Sequence, residues 1–169
     1  MSDSKSKGFQ LPKPGAEHNL LEPFVGKFRA DVELFMGPGD PQKSSGMMTN
    51  SWQVDGLYLH QDYVGDPAPP PFSAFVGRGY WGYDFGKELY EGFWIDNVSS
   101  MMQMETGTVD GSGKVFTMTS EFDHPSGTRM KKRSVIRVED RDHNWIDSFL
   151  TGPDGKEFRT MTIRYSRAK

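Results

Sequence analysis

The chain is a succession of short runs in which apolar and polar residues alternate, and turn-forming residues separate the runs at nearly regular intervals. That pattern leaves few folds open. After Gly26, the residues Phe28, Ala30, Val32, Leu34 and Met36 share one face while Arg29, Asp31 and Glu33 share the other. This is the period of a strand with one dry and one wet side. Pro38, Gly39, Asp40 and Pro41 break it, and further strand-like runs follow at 46–54, 57–64, 75–84, 87–97, 101–109, 115–123, 128–139, 145–150 and 158–167. Several separators contain Asp-Gly or similar pairs (Asp55-Gly56, Asp110 to Gly113, Pro153-Asp154-Gly155), the short-range signature of a hairpin. Residues 65–72 form a different connection, stiff and proline-rich, which is expected to cover one end of the sheet.

About ten short strands joined by hairpins leave a sandwich or a closed up-and-down barrel. The hairpin succession lacks the long crossovers of a Greek key, and closure removes exposed strand edges. The expected fold is therefore all-β: a closed up-and-down antiparallel barrel of about ten strands. One short N-terminal helix is predicted over 14–22, stopped by Pro23, with Leu20 and Leu21 packed on the barrel. Residues 1–14 read as a disordered tail and 15–169 as a single domain.

The length of 169 residues suffices for a core without disulfides or metal. With 20 basic and 23 acidic residues the net charge is -3, and no basic stripe suited to nucleic acid is present. The densest basic run, Arg129 to Arg133, alternates like a strand and reads as a solvated face. Cysteine is absent, which excludes thiol catalysis and thiolate-bound metal. The first eight residues are polar, and no stretch approaches the roughly 18 apolar residues of a membrane span. A cytoplasmic location without membrane contact is expected.

Between Gly77 and Asp96 glycines alternate with aromatics. Glycine inside a strand marks a bend or the close approach of something bulky. If Tyr83 pairs with Tyr90, then Gly79 lies opposite Trp94 and Gly77 opposite Asp96. Either Trp94 and Tyr90 line a pocket with Asp96 as polar anchor or base, or Trp94 fills the core and Asp96 accepts strand-end hydrogen bonds. A buried Asp needs a partner, and Arg133 and Arg137 are the candidates. Phe93, Ile95 and Tyr80 then point outward, and such a row suggests a homodimer. Met47, Met48, Met101, Met102, Met104 and Met118 suit either an adaptable apolar site or an ordinary core. His60 and Asp62 share a face, which would orient an imidazole for acid–base work or form a surface pair. No nucleophile elbow and no phosphate-binding glycine loop occurs.

The chain resembles the bacterial family known as domain of unknown function 1579, within the calycin-like barrels that include lipocalins and fatty-acid-binding proteins. The matching residues are 18–28, Met36-Gly37-Pro38-Gly39, Asp55 to Leu59, Gly79 to Asp84, Trp94-Ile95-Asp96, and Thr151 to Phe158 with Tyr165-Ser166-Arg167. The resemblance implies the barrel fold and carries over no catalytic residue. Calycin barrels tend to stack a last-strand arginine on a first-strand Gly-x-Trp; here the equivalents are Gly26-Lys27-Phe28 and Arg167, with Phe for Trp. An inward Arg167 implies that Tyr165, Ile163 and Met161 face the interior, while Thr162, Arg164 and Ser166 face water. In fatty-acid-binding barrels interior arginines hold a ligand carboxylate, so an inward Arg133 or Arg137 implies an acidic amphipathic ligand. Haem-binding barrels similar to nitrobindin use a late-strand histidine, and none follows His143 here; no cofactor is expected. The leading expectation is a binder of a small, largely apolar molecule, lined by Trp52, Tyr90, Trp94, Met161 and Tyr165, with Asp96 or Arg133 supplying polarity. The alternatives are an enzyme with Asp96 or His60 as base, and a protein-interaction module with a filled barrel.

Overall fold

The computed structural model describes residues 11–71, 73–123 and 127–169. Among them, ten antiparallel strands close into one barrel. They are β1 (Gly26–Leu34), β2 (Gln42–Gln53), β3 (Tyr58–Gly65), β4 (Val76–Asp84), β5 (Leu89–Asp96), β6 (Gln103–Val109), β7 (Val115–Asp123), β8 (Arg129–Val138), β9 (His143–Thr151) and β10 (Glu157–Arg167). Each strand pairs with its sequence neighbours, and β10 returns to β1 from Phe28↔Arg167 to Leu34↔Met161. The sequence expectation of an up-and-down closed barrel is thereby met. Full closure leaves no strand edge for a second chain to pair with.

The ends of some elements differ from expectation. β1 stops at Leu34, so Met36 lies beyond the strand with 79% of its surface exposed instead of inside the barrel. β2 begins at Gln42, before any apolar alternation; backbone pairing and a Lys43–Glu33 ion pair at 3.4 Å extend it. The helix α1 is a single turn (Ala16–Asn19), followed by a 3-10 turn at Glu22–Phe24 that contains Pro23. Proline stands there at the start of a turn, where no N–H is required, and does not end the first one.

The α1 and 3-10 turns and the hairpins at 53–58, 84–89, 109–115 and 138–143 share one end of the barrel, the closed end. Leu21 and Phe24 descend into it and pack with Leu59, Trp81, Tyr90, Phe116 and Ile136. The connections at 34–42, 96–103 and 151–157, with the strand ends at Gly65, Val76, Asp123 and Arg129, lie at the opposite, open end. The proline-rich connection is anchored there by the Gly65 N–H, which donates to Phe75 O at 2.7 Å. Phe75 packs edge-on against Tyr63.

Arg167 joins the closed end together. Its guanidinium lies 4.4 Å over the Phe28 ring. It donates to Val25 O at 2.8 Å, Pro23 O at 3.2 Å and Arg141 O at 2.7 Å, with Asp142 as its counter-ion at 3.0 Å. One planar fork thus ties the last strand to the first, to the 3-10 turn and to the β8–β9 hairpin. Gly26, at φ +123°, makes room for it: a Cβ there would stand 2.4 Å from Arg167 Nη1. The inward set of Tyr165, Ile163 and Met161 follows the expected parity. Thr162 departs from expectation, being 3% exposed on the outer face. It donates to Asp147 at 2.7 Å, and Asp147 also accepts from Arg137 at 3.0 Å, so long charged side chains shield it from water.

Replacing Arg167 with Gln removes the forked, charged donors and leaves several carbonyls underbonded. A loss of about 2–3 kcal/mol is expected, and Arg167→Lys should recover only a minor part because a single ammonium cannot span the same acceptors. Urea denaturation of the three proteins checks this; equal midpoints would refute the clasp.

Candidate functional site

The glycine-aromatic hairpin has the expected register, with Gly77 opposite Asp96, Gly79 opposite Trp94 and Tyr83 opposite Tyr90. Glycines on these strands are the seats of large side chains across the sheet. A Cβ on Gly77 would stand 2.1 Å from Trp94 Cζ2, and one on Gly79 2.8 Å from Trp94 Cε3. Trp81 lies in the same way over Gly92 at 2.4 Å, and the Tyr63 hydroxyl over Gly46 at 2.5 Å. The indole of Trp94 is therefore pressed flat on the β4 backbone, inside the barrel and half-buried.

The two halves of the interior differ. Toward the closed end the side chains form the main apolar core. Trp52 donates its indole N–H to Glu22 at 2.8 Å. Tyr90, 3% exposed, donates to Glu17 O at 2.9 Å and meets Phe116 edge-on. Burial pushes the Tyr90 phenol up to about 12, so it remains a donor. Both residues hold the N-terminal turns on the barrel. His18 lies beneath them, 1% exposed and enclosed by Trp52, Tyr83 and Phe85. Its Nδ1 accepts from the Gly15 N–H at 3.1 Å. Burial is the main cause that lowers its pKa, partly offset by Glu17.

Toward the open end, the inward positions are half-buried and mixed in chemistry. Trp94, Leu34 and Met161 form an apolar wall against the Phe28, Met48 and Tyr165 cluster. Opposite this wall, the row Glu105, Ser120, Lys132, Leu150 runs across β6, β7, β8 and β9. Lys132 Nζ stands 3.7 Å from Glu105 and 3.4 Å from Gln103 Oε1, with 22% and 17% of the Lys132 and Glu105 side chains exposed. Serine at 120 is small enough for the two charged groups to meet across it. This ion pair on the inner wall did not figure among the sequence candidates. Asp96 sits at the rim, where its carboxylate accepts from the Val98 N–H at 3.0 Å.

Of the seven residues put forward from sequence, the structure brings Trp94, Met161 and Tyr165 together in one interior cluster. Trp52 and Tyr90 lie at the closed end, and Asp96 at the rim. Arg133 stands on the outer face, stacked 4.5 Å over Phe149 and paired with Glu157 at 2.5 Å. Arg137 is outside too, on Asp147, so neither arginine is the partner of Asp96. His60 is also outside, 4.8 Å from Tyr80, and its expected partner Asp62 is bound to Arg78 at 2.8 Å. Phe93, Tyr80 and Ile95 face outward as the register required. An open groove of about 390 Å³ on the outer face runs between Asp31, Glu33, Lys43 and Arg164. Its charges are of both signs and wet, which makes it a poor place to bury an apolar molecule.

A closed, all-antiparallel ten-stranded barrel with an N-terminal turn across one end has the form of a calycin-like barrel. The chain matches the model of "Protein of unknown function (DUF1579)" over residues 13–167 and belongs to that family. No curated protein matches it. Among solved structures it is similar to Rv2717c from M. tuberculosis, at TM-score 0.67 and 12% identity, over 92% of this chain and 99% of that one. It is also similar to the S-type phycobiliprotein lyase CPES from Guillardia theta, at TM-score 0.58 and 14% identity, over 92% and 99%. At these identities the likeness is one of fold. Among the described residues no helix is long and apolar enough to cross a membrane.

The depressed pKa of His18 gives stability a pH dependence of definite sign. The unfolded chain takes up a proton near pH 6.5, the ordinary value, whereas the folded chain does so only at lower pH. The contribution is therefore complete above about pH 6.5 and falls as pH drops toward the folded pKa. His143, raised by Asp140, acts in the opposite sense and on the other side of pH 6.5, its contribution being complete below that value and lost as pH rises through the folded pKa. Melting temperatures from pH 7.5 down to 5 (roughly one unit above the His18 reference and beyond it below) should fall more steeply for the native protein than for His18→Gln. Parallel curves would contradict the assignment.

Proposed function

We propose that the open half of the barrel binds a small, largely apolar molecule that carries an acidic group. The observation that supports it above others is Lys132, a cation on the inner wall of a barrel half whose other inward residues include Trp94, Met161 and Leu34. Removing apolar surface from water against that wall supplies affinity at roughly 25 cal/mol per Å². The indole, fixed by Gly77 and Gly79, offers a rigid flat face that loses little entropy on contact. Lys132 then selects the anionic end. Glu105 is its resident counter-ion, and a ligand carboxylate must compete with it. The acidic ligand expected from an inward arginine is retained, with the role moved one residue along β8, from Arg133 to Lys132. Asp96, at the rim, would keep like-charged groups from lodging at the mouth.

Fluorescence titration with a long-chain carboxylate and the alcohol of equal chain length tests this. Trp94→Phe identifies which of the four tryptophans responds. The carboxylate is expected to bind about tenfold more tightly than the alcohol, a difference of about 1.4 kcal/mol. Lys132→Gln should abolish that preference, and Glu105→Gln should increase it by freeing Lys132. Saturable binding with no preference for the acid, or no response from Trp94, would contradict the proposal.

A further inference from the structure

Deep in the barrel, near the plugged end, four buried polar side chains converge: Asn50, Gln61, Asn144 and Tyr165, at 6%, 8%, 6% and 5% exposure. They line a cavity of about 10 Å³, bounded otherwise by apolar groups such as Phe28 and Met48. Register explains the convergence. Asn50 and Gln61 are direct neighbours across β2 and β3, as are Tyr165 and Asn144 across β10 and β9. All four sit at inward positions that hydrocarbon would fill in an ordinary core.

Asn50 donates its amide nitrogen to Phe24 O at 2.8 Å. Only the nitrogen can bond a carbonyl oxygen, so this contact settles the orientation of the amide. Its Oδ1 is buried and has no partner among the described residues. An unmet buried acceptor costs about 1–3 kcal/mol, and native interiors meet such groups with ordered water when there is room.

We infer that this cavity is a buried binding site for one water molecule, held by Asn50 Oδ1 and shared with the amides of Gln61 and Asn144 and the phenol of Tyr165. Size and chemistry both select the occupant. A cavity of about 10–15 Å³ takes a single water and nothing larger. The lining has no charged residue, which disfavours an ion and suits a neutral molecule that both donates and accepts. Burial raises the Tyr165 pKa, so the phenol stays protonated and can act as donor to the water. The water bridges strands on opposite sides of β1 and forms a polar floor beneath the Trp94 and Met161 wall, independent of whether a ligand occupies the space above.

A crystal structure of the full chain that resolves ordered solvent is the direct test. The expected result is one isolated peak about 2.6–3.2 Å from Asn50 Oδ1 and from at least one of the other three polar groups, absent in Asn50→Leu. An empty cavity, an Asn50 Oδ1 satisfied by a protein donor, or elongated density from an organic molecule would each overturn the assignment. If Asn50→Leu fails to fold, oxygen-17 relaxation dispersion on the unaltered protein decides: a slowly exchanging internal water is expected, and its absence refutes the site.

Discussion

Closing a barrel requires the first and last strands to meet and stay in register, and here that junction depends on Arg167. Its fork reaches three carbonyls, two at the 3-10 turn and one in the β8–β9 hairpin, and its flat face rests on Phe28. The absent side chain of Gly26 is what lets the guanidinium in. Once this clasp is made, the N-terminal turns are held across one end and Leu21 and Phe24 are driven into the interior. The barrel is thereby polarised: toward the opposite end the inward residues are half-buried and include a charged pair.

The second structural theme is the pairing of glycines with large side chains across neighbouring strands. Glycine weakens a strand by its entropy and by leaving nothing to pack. Trp94 over Gly77 and Gly79, Trp81 over Gly92, and Tyr63 over Gly46 restore the lost contact. The same arrangement fits bulky rings into a barrel without forcing the walls apart. The space that the glycines opened is occupied by Trp94 itself.

Much of the fold was legible because hairpin signals and period-two alternation agree over most of the chain. β7 (Val115–Asp123) coincides with its predicted limits, and the β4–β5 register is the one obtained by pairing Tyr83 with Tyr90 across the turn. β2 was less legible at its start, since 42–45 has no apolar alternation, only pairing to β1. The site was harder. β8 carries basic residues on both faces, so composition alone does not say which cation is inside. The signal was present in parity: Met130, Lys132, Ser134, Ile136 and Val138 form the more apolar set, while Arg129, Lys131, Arg133 and Arg137 share the other. Glu105 was hidden for a related reason. In a short strand with Met104 on its outer face, nothing local marks a carboxylate as inward, and only the row across to Lys132 reveals it. Asn50, Gln61 and Asn144 converge through strand pairing that single-strand patterns do not contain.

The barrel thus has a sealed end, a small polar floor and an open half in which an apolar wall faces an internal cation. Each layer follows from side-chain size and parity along ten strands. The proposed role as a carrier of an acidic, largely apolar molecule depends on Lys132 being available from the open end. Native mass spectrometry of protein purified from its own cells, beside Lys132→Gln prepared in the same way, tests that claim most directly. The account predicts one non-covalent small-molecule mass at unit stoichiometry on the native protein and its depletion in the variant. Bare protein in both samples, or the same mass retained equally by the variant, would contradict it.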